Sequence, residues 1–131
     1  MNVDSDRMYY FVMKCLYGLY GSQTNSYNKI LHFQKMEGLY HQTNSLLEQT
    51  QGYFVRLEQG GGGEDGERLQ AEIQSRLETM WSNTERLDML ASKEPVQRRQ
   101  VARQKIDQLK YDIQHLHAAL QVSIEYFQSQ K

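Results

Sequence analysis

The stretch Arg86-Leu87-Asp88-Met89-Leu90-Ala91-Ser92-Lys93-Glu94-Pro95, with the run that follows it to Leu120, decides the fold. Beyond Pro95, apolar residues fall at Ala102, Ile106, Leu109, Ile113, Leu116, Leu120 and Phe127. For most of that length the gaps alternate between four and three, the spacing that lines side chains along one stripe of a helix. The reading is a helix that ends, a short corner, and a longer helix from about 94 to 127. Pro95 is the only proline in the chain. It is expected in the first turn of the longer helix, where its missing N–H would have had no intrahelical partner. Ser92 is the expected cap.

Upstream, Leu69, Ile73, Leu77, Met80, Thr84, Leu87 and Leu90 or Ala91 form a second stripe, which predicts a helix over about 67–91. Asp65 or Gly66 is expected to open it, with Glu67 near the positive end of its dipole. Trp81 lies beside the stripe, where an indole can cover a helix boundary and turn its N–H to a polar partner. Further upstream, Leu39, Thr43, Leu46, Thr50, Tyr53 and Leu57, widened by Leu47 and Phe54, predict a first helix over about 36–58. Gly52 costs that helix about 1 kcal/mol relative to alanine. Between the two stands Gly60-Gly61-Gly62-Gly63-Glu64-Asp65-Gly66. A phosphate-cradling loop would want a strand before it and a Lys, Ser or Thr at the helix start. Here a helix precedes and acids follow, so the glycine run reads as a flexible linker.

At 131 residues the chain is one domain by length, and its single proline with abundant Gln, Leu, Glu and Arg favours helix. A net charge of −1 argues against a dedicated nucleic-acid or anionic-membrane protein. Cys15 is alone, which excludes an intrachain disulfide and fits a reducing, cytosolic setting. The run Met8 to Tyr20, broken by Lys14 and Gly18, falls short of the roughly 20 residues a spanning helix needs. Asp4 and Asp6 stand where a secretory signal would carry positive charge. Neither a signal peptide nor a membrane span is expected.

A resemblance rests on the deciding stretch. Arg86-Leu87-Asp88, Leu90, Ser92-Lys93-Glu94-Pro95, Arg99, Ala102-Arg103, Asp107-Gln108-Leu109-Lys110-Tyr111-Asp112, Gln114-His115-Leu116 and Ala119-Leu120 together resemble the N-terminal region of membrin. Membrin-type proteins are Golgi Qb-SNAREs, also described as members of the Golgi SNAP receptor complex. The resemblance runs without gaps from Met36 to Leu120 and is strongest after Leu77. It implies an all-α fold, an antiparallel three-helix bundle of the SNARE N-terminal domain type. It also implies a regulatory or recruitment role in vesicle transport and membrane fusion between endoplasmic reticulum and Golgi, on the Golgi and its transport vesicles. The implied partners are a Golgi syntaxin, other SNAREs and trafficking proteins. In such families a charged linker, a SNARE motif with a central glutamine and a membrane anchor follow; none is expected within this chain, which without an anchor could be cytosolic.

Residues 1–35 read differently. Tyr9, Tyr10, Phe11, Tyr17, Tyr20 and Tyr27 crowd a segment that also holds Gly18, Gly21 and a polar run from Ser22 to Asn28. The expectation is a poorly structured, divergent extension, whose aromatics would otherwise serve as a docking segment. The expected organisation is therefore 1–35 extension, 36–127 three-helix domain and 128–131 tail.

Candidate chemistry is sparse. His115 and His117, two apart on a helix, point about 200° from each other and do not share a metal. Lys93, Arg98, Arg99, Arg103, Lys105 and Lys110 form a basic stretch without a nucleic-acid reading module, expected to be a solvated face paired with Asp107 and Asp112. No carboxylate is spaced with a nucleophile or metal ligand so as to name a reaction, and Cys15 has only Lys14 beside it. No enzyme, cofactor or metal is expected, and no partner-binding residue is singled out. The rival reading is a helical spacer or oligomerising coiled coil, because a heptad stripe serves an intermolecular coil as well as a bundle. A monomer would favour the bundle.

Overall fold

The computed structural model describes residues 23–60 and 64–130, with side chains from Asn28 onward. It contains three helices, α1 (Gln23–Gly60), α2 (Glu64–Ser92) and α3 (Val96–Ser129), and no strand occurs among the described residues. Residues 1–22, which hold most of the aromatic extension and Cys15, lie outside the described residues, as do Gly61–Gly63 of the expected linker and Lys131.

The helices run antiparallel in succession. His32 near the start of α1 meets Leu90 near the end of α2, Thr43 meets Asn83, and Tyr53 meets Arg76. Asp88 of α2 then reaches Lys110 of α3. Both outer helices lean on α2, and α1 touches α3 chiefly near the α2–α3 corner, where Phe33, Met36 and Tyr40 approach Arg98, Ala102 and Lys105.

One apolar cluster holds the bundle together. Leu77, Met80 and Leu87 of α2 pack with Leu39, Leu47 and Leu57 of α1 and with Ile106, Leu109, Ile113 and Leu120 of α3. Each such side chain, when fully withdrawn from water, contributes about 1.5–3 kcal/mol. Most residues of the stripes predicted from spacing are buried, with two refinements: Ala91 rather than Leu90 enters the core, and Leu47 rather than Leu46. Tyr53 and Leu69 are only half-buried. Leu116 and Phe127 sit half-buried at its edge.

Several boundaries differ from expectation. The first helix begins at Gln23, not near Met36, because Ile30 and Phe33 precede Met36 and Leu39 at steps of three and all four enter the core. Ile30 is 2% exposed and Phe33 8%. At the corner, Ser92 does not cap α3; its hydroxyl donates back to the Met89 carbonyl at 2.7 Å, closing the last turn of α2. Pro95 stands at the N-cap, one residue before the first turn, with φ −56° and ψ 150°. Its carbonyl accepts from the backbone N–H groups of Arg98 and Arg99, both at 2.9 Å. Helix α2 opens at Glu64, earlier than expected, and gathers Glu64, Asp65 and Glu67 in the first turn, where the dipole favours them.

The core of the α1–α2 seam carries polar groups that find hydrogen-bond partners. Thr43 and Thr50 donate to the carbonyls one turn back, Leu39 at 2.8 Å and Leu46 at 2.6 Å, and Thr84 donates to Trp81 at 2.6 Å. Asn83 Nδ2 donates across to Thr43 Oγ1 at 3.1 Å. That bond fixes the sliding position of α1 against α2, since a shift by one turn would leave both groups buried and unpaired.

Candidate partner-binding surfaces

The α2–α3 corner is built from groups that sequence spacing does not bring together. The Leu90 carbonyl, one of those an α-helix leaves without an intrahelical partner at its C-terminus, accepts from Lys93 N–H at 3.2 Å and from His32 Nε2 at 2.6 Å. A carbonyl only accepts, so Nε2 carries the hydrogen. The same ring lies 3.7 Å from Glu94 Oε1, and Glu94 is 2% exposed. Arg99 Nη2 donates to the Glu94 carbonyl at 3.1 Å, while Glu94 Oε1 and Arg99 Nε are buried without a hydrogen-bond partner. Burial pushes the Glu94 carboxyl above its ordinary range, against the opposing pull of His32 and Arg98, and Glu37 adds to the rise. The arrangement ties the early turns of α1 to the corner and is structural in character.

The basic stretch does not form one face. Arg98 lies 5.1 Å over the Phe33 ring, and Lys105 is 3.9 Å from Glu37 and 5.7 Å from the Tyr40 ring, so both turn toward α1. Lys110 pairs instead with Asp88 of α2, and Arg99 turns into the corner. The expected partners were Asp107 and Asp112, but Asp112 accepts from Gln108 at 3.1 Å and the lysines find acids on neighbouring helices. Spacing alone does not decide the exchange: Asp112 lies two residues from Lys110 and faces away from it, but Asp107 lies three before Lys110 and within helical reach. It is the packing of α3 against its neighbours that brings Lys105 to Glu37 and Lys110 to Asp88.

The histidines diverge as spacing demands. His115 stacks on Tyr111, with centroids 6.2 Å apart and planes 17° from parallel, while His117 borders the seam between α2 and α3. No group of three or more His, Cys, Asp or Glu side chains converges as a metal site among the described residues.

That seam holds a cavity of about 510 Å³, open to solvent. Its floor is apolar, from Leu77 and Trp81 of α2 and Ile113 and Ala118 of α3, and Glu78 and Glu85 rise along the α2 wall. Trp81, 37% exposed, presents part of its indole to the opening. A smaller cavity of about 260 Å³ lies between α1 and α3, bordered by Phe33, Glu37, Arg98 and Lys105. Nothing in residue spacing announced either cavity, although the lone tryptophan beside a core stripe marked the place of the larger one.

Comparison with known proteins is consistent with this architecture. Residues 36–130 match the family model described as BOS1/GOSR2/MEM11, N-terminal domain. Golgi SNAP receptor complex member 2 of Mus musculus is 46% identical over 85 residues, 65% of this chain and 40% of that protein. Probable Golgi SNAP receptor complex member 2 of Drosophila melanogaster is 39% identical over 90 residues, 69% of this chain and 41% of its own length. The homolog memb-1 of Caenorhabditis elegans is 36% identical over 85 residues, 65% of this chain and 40% of its own length. The chain thus spans about 40% of the length of these relatives. No solved structure matches it. The match begins at Met36, so α1 reaches 13 residues further toward the N-terminus than the shared region. With its ordered motif, its three-helix bundle and a match across most of its length, the chain belongs to the BOS1/GOSR2/MEM11 N-terminal domain family.

Proposed function

We propose that this chain serves as the regulatory or recruitment domain of a Golgi Qb-SNARE, acting in vesicle transport between endoplasmic reticulum and Golgi. The observation that carries the reading is the family match over residues 36–130, supported by relatives named as Golgi SNAP receptor complex members. The geometry fits a binding role rather than a catalytic one. The hydrogen-bonded polar pair in its core, Asn83 and Thr43, serves helix packing, and its cavity of about 510 Å³ is an open seam between helices. The partners of this reading are a Golgi syntaxin, further SNAREs and the factors that assemble them, and the site of action is the cytosolic face of Golgi and transport-vesicle membranes. The chain acts as a monomer in this reading and needs no cofactor.

Fusion itself is assigned elsewhere. No helix among the described residues is long and apolar enough to cross a membrane, and the heptad stripe of α3 is already buried against α2. The test uses liposomes bearing the cognate SNAREs of a full-length relative. The chain alone should give no lipid mixing, and added beside the full-length relative it should slow mixing mildly by occupying a regulatory partner. Lipid mixing equal to the full-length control would refute the assignment. So would failure of the immobilised chain to retain any SNARE or trafficking protein from Golgi extract.

A second reading, self-association through α3, has one specific observation behind it. Val101, Tyr111, Val122 and Tyr126 are each more than half exposed on α3. A solution mass above that of the single chain, 15.4 kDa, would favour it.

A further inference from the structure

The seam between α2 and α3 is elongated. On α2 its lining runs from Gln74 to Glu85, three turns or about 17 Å of helix, and on α3 from Ile113 to Ala118. A trench of that length, parallel to two helices and floored by Leu77, Trp81, Ile113 and Ala118, is shaped for the apolar stripe of a third helical segment rather than for a compact small molecule. Its charge is one-sided. Glu78 and Glu85 stand seven residues apart, two turns along the same wall, both exposed, and no lysine or arginine lines the trench. Glu78 accepts only from the neutral Gln74 amide, at 3.1 Å, so its charge is not cancelled. The smaller cavity between α1 and α3 differs, because its Glu37 and Lys105 already face each other at 3.9 Å.

Resting on the recruitment reading above, we infer that the α2–α3 trench is the docking surface of that domain, and that its occupant is a cationic amphipathic helix of a protein partner. The occupant lays an apolar stripe over Trp81 and Leu77 and sets lysine or arginine against Glu78 and Glu85. Repulsion by the same acids excludes helices with an acidic flank, which supplies selectivity as well as attraction.

Trp81 is the only tryptophan in the chain, so its emission reports on the trench alone. The probe is a tryptophan-free amphipathic peptide of leucine and lysine, about 18 residues long so that its helix is not marginal. A peptide with the same leucine stripe and glutamate in place of lysine serves as the comparison. Added to the intact chain, the lysine peptide should shift Trp81 emission to shorter wavelength and bind at least about 10-fold more tightly than the glutamate peptide. The preference should weaken as salt rises. The double variant E78Q/E85Q alters exposed side chains only and should keep the fold, while weakening the lysine peptide by about 3- to 10-fold. Equal binding of both peptides, binding of the lysine peptide without any change at Trp81, or undiminished binding to E78Q/E85Q would each overturn the inference. The two readings separate in extract. A chain that retains SNARE or trafficking proteins equally well with and without E78Q/E85Q recruits through another face, and only the trench is refuted. A chain that binds the lysine peptide as described but retains no such protein refutes the recruitment reading and leaves the trench standing.

Discussion

Shortening the chain to begin at Met36 should destabilise the bundle severely, although the family match begins there. The reason lies in what the first turns of α1 bury. Ile30 is 2% exposed and Phe33 8%, and removing such side chains costs about 2–5 kcal/mol for isoleucine and 3–5 for phenylalanine. The truncation also deletes the His32 bond to the Leu90 carbonyl, worth about 0.5–1.5 kcal/mol, and uncovers Glu94 at the corner. The whole stability of a domain of this size is about 5–15 kcal/mol, so these losses together take up much of it. A gentler form of the test is Ile30→Ala in the full chain. At about 4–8 °C per kcal/mol, it should lower the melting temperature by at least about 8 °C. Gln34→Ala, exposed on the same helix, should move stability by no more than about 0.5 kcal/mol. The assay is far-ultraviolet circular dichroism through thermal and urea unfolding. A chain starting at Met36 that melts within about 2 °C of the full one, or Ile30→Ala indistinguishable from Gln34→Ala, would refute the placement of these turns in the core.

Three further outcomes are expected. Ile113→Ala, 2% exposed in mid-α3, should cost about 2–5 kcal/mol in urea unfolding, whereas Gln114→Ala should stay within about 0.5; equal effects would show that α3 is rotated from the phase described. Asn83→Ala should cost about 1–2 kcal/mol, and a double-mutant cycle with Thr43→Val should show non-additivity, because the two side chains share one bond; strict additivity would remove the cross-helix bond from the account. Glu94 sets a pH dependence. A carboxyl whose folded pKa lies above its ordinary value binds more protons folded than unfolded, so its burial lowers stability at neutral pH. That cost fades as pH falls through the raised folded value and is largely gone once pH is below the ordinary value of 4.5. Glu94→Gln should therefore melt no lower than the parent at pH 7, with any advantage shrinking toward pH 4; a variant destabilised at pH 7 and neutral at pH 4 would reverse the sign argued here.

The parts of the fold legible in the sequence were those governed by helical period. Ile73, Leu77, Met80 and Leu87, and then Ile106, Leu109 and Ile113, declare their faces by spacing alone, and all are buried. The start of α1 was hidden because Ile30 and Phe33 stand just after a polar, aromatic-rich segment in which no period is sustained. Their membership of the stripe is visible only when Met36 and Leu39 are read backward from it. The corner was misread by one residue for a local reason: a serine before a helix can cap it or can bond back to the preceding turn, and Ser92 does the second. The ion pairs between helices were beyond the reach of sequence, unlike the one-turn pair of Glu72 with Arg76. Glu37 with Lys105 and Asp88 with Lys110 lie 68 and 22 residues apart, and only the angle between packed helices decides that they meet.

The distribution of buried polar groups divides the bundle into two unlike seams. Thr43 and Thr50 belong to α1 and Asn83 and Thr84 to α2, and Glu94 lies in the corner. The buried polar atom that α3 contributes, Arg99 Nε, sits at that same corner rather than along the α2–α3 seam. The α1–α2 seam is therefore held in register by a directional bond as well as by burial. Helix α3 is attached by apolar contact, by Lys110 on Asp88, by Lys105 on Glu37 and by its connection through the corner. Neither ion pair, each partly open to water, penalises a small shift as sharply as an unpaired buried amide does. The apolar floor of Leu77, Trp81, Ile113 and Ala118 lies open along that second, less constrained seam. A rigid pair beside an accommodating helix is an arrangement in which a docking segment can enter between α2 and α3 without disturbing the bond that fixes α1 against α2.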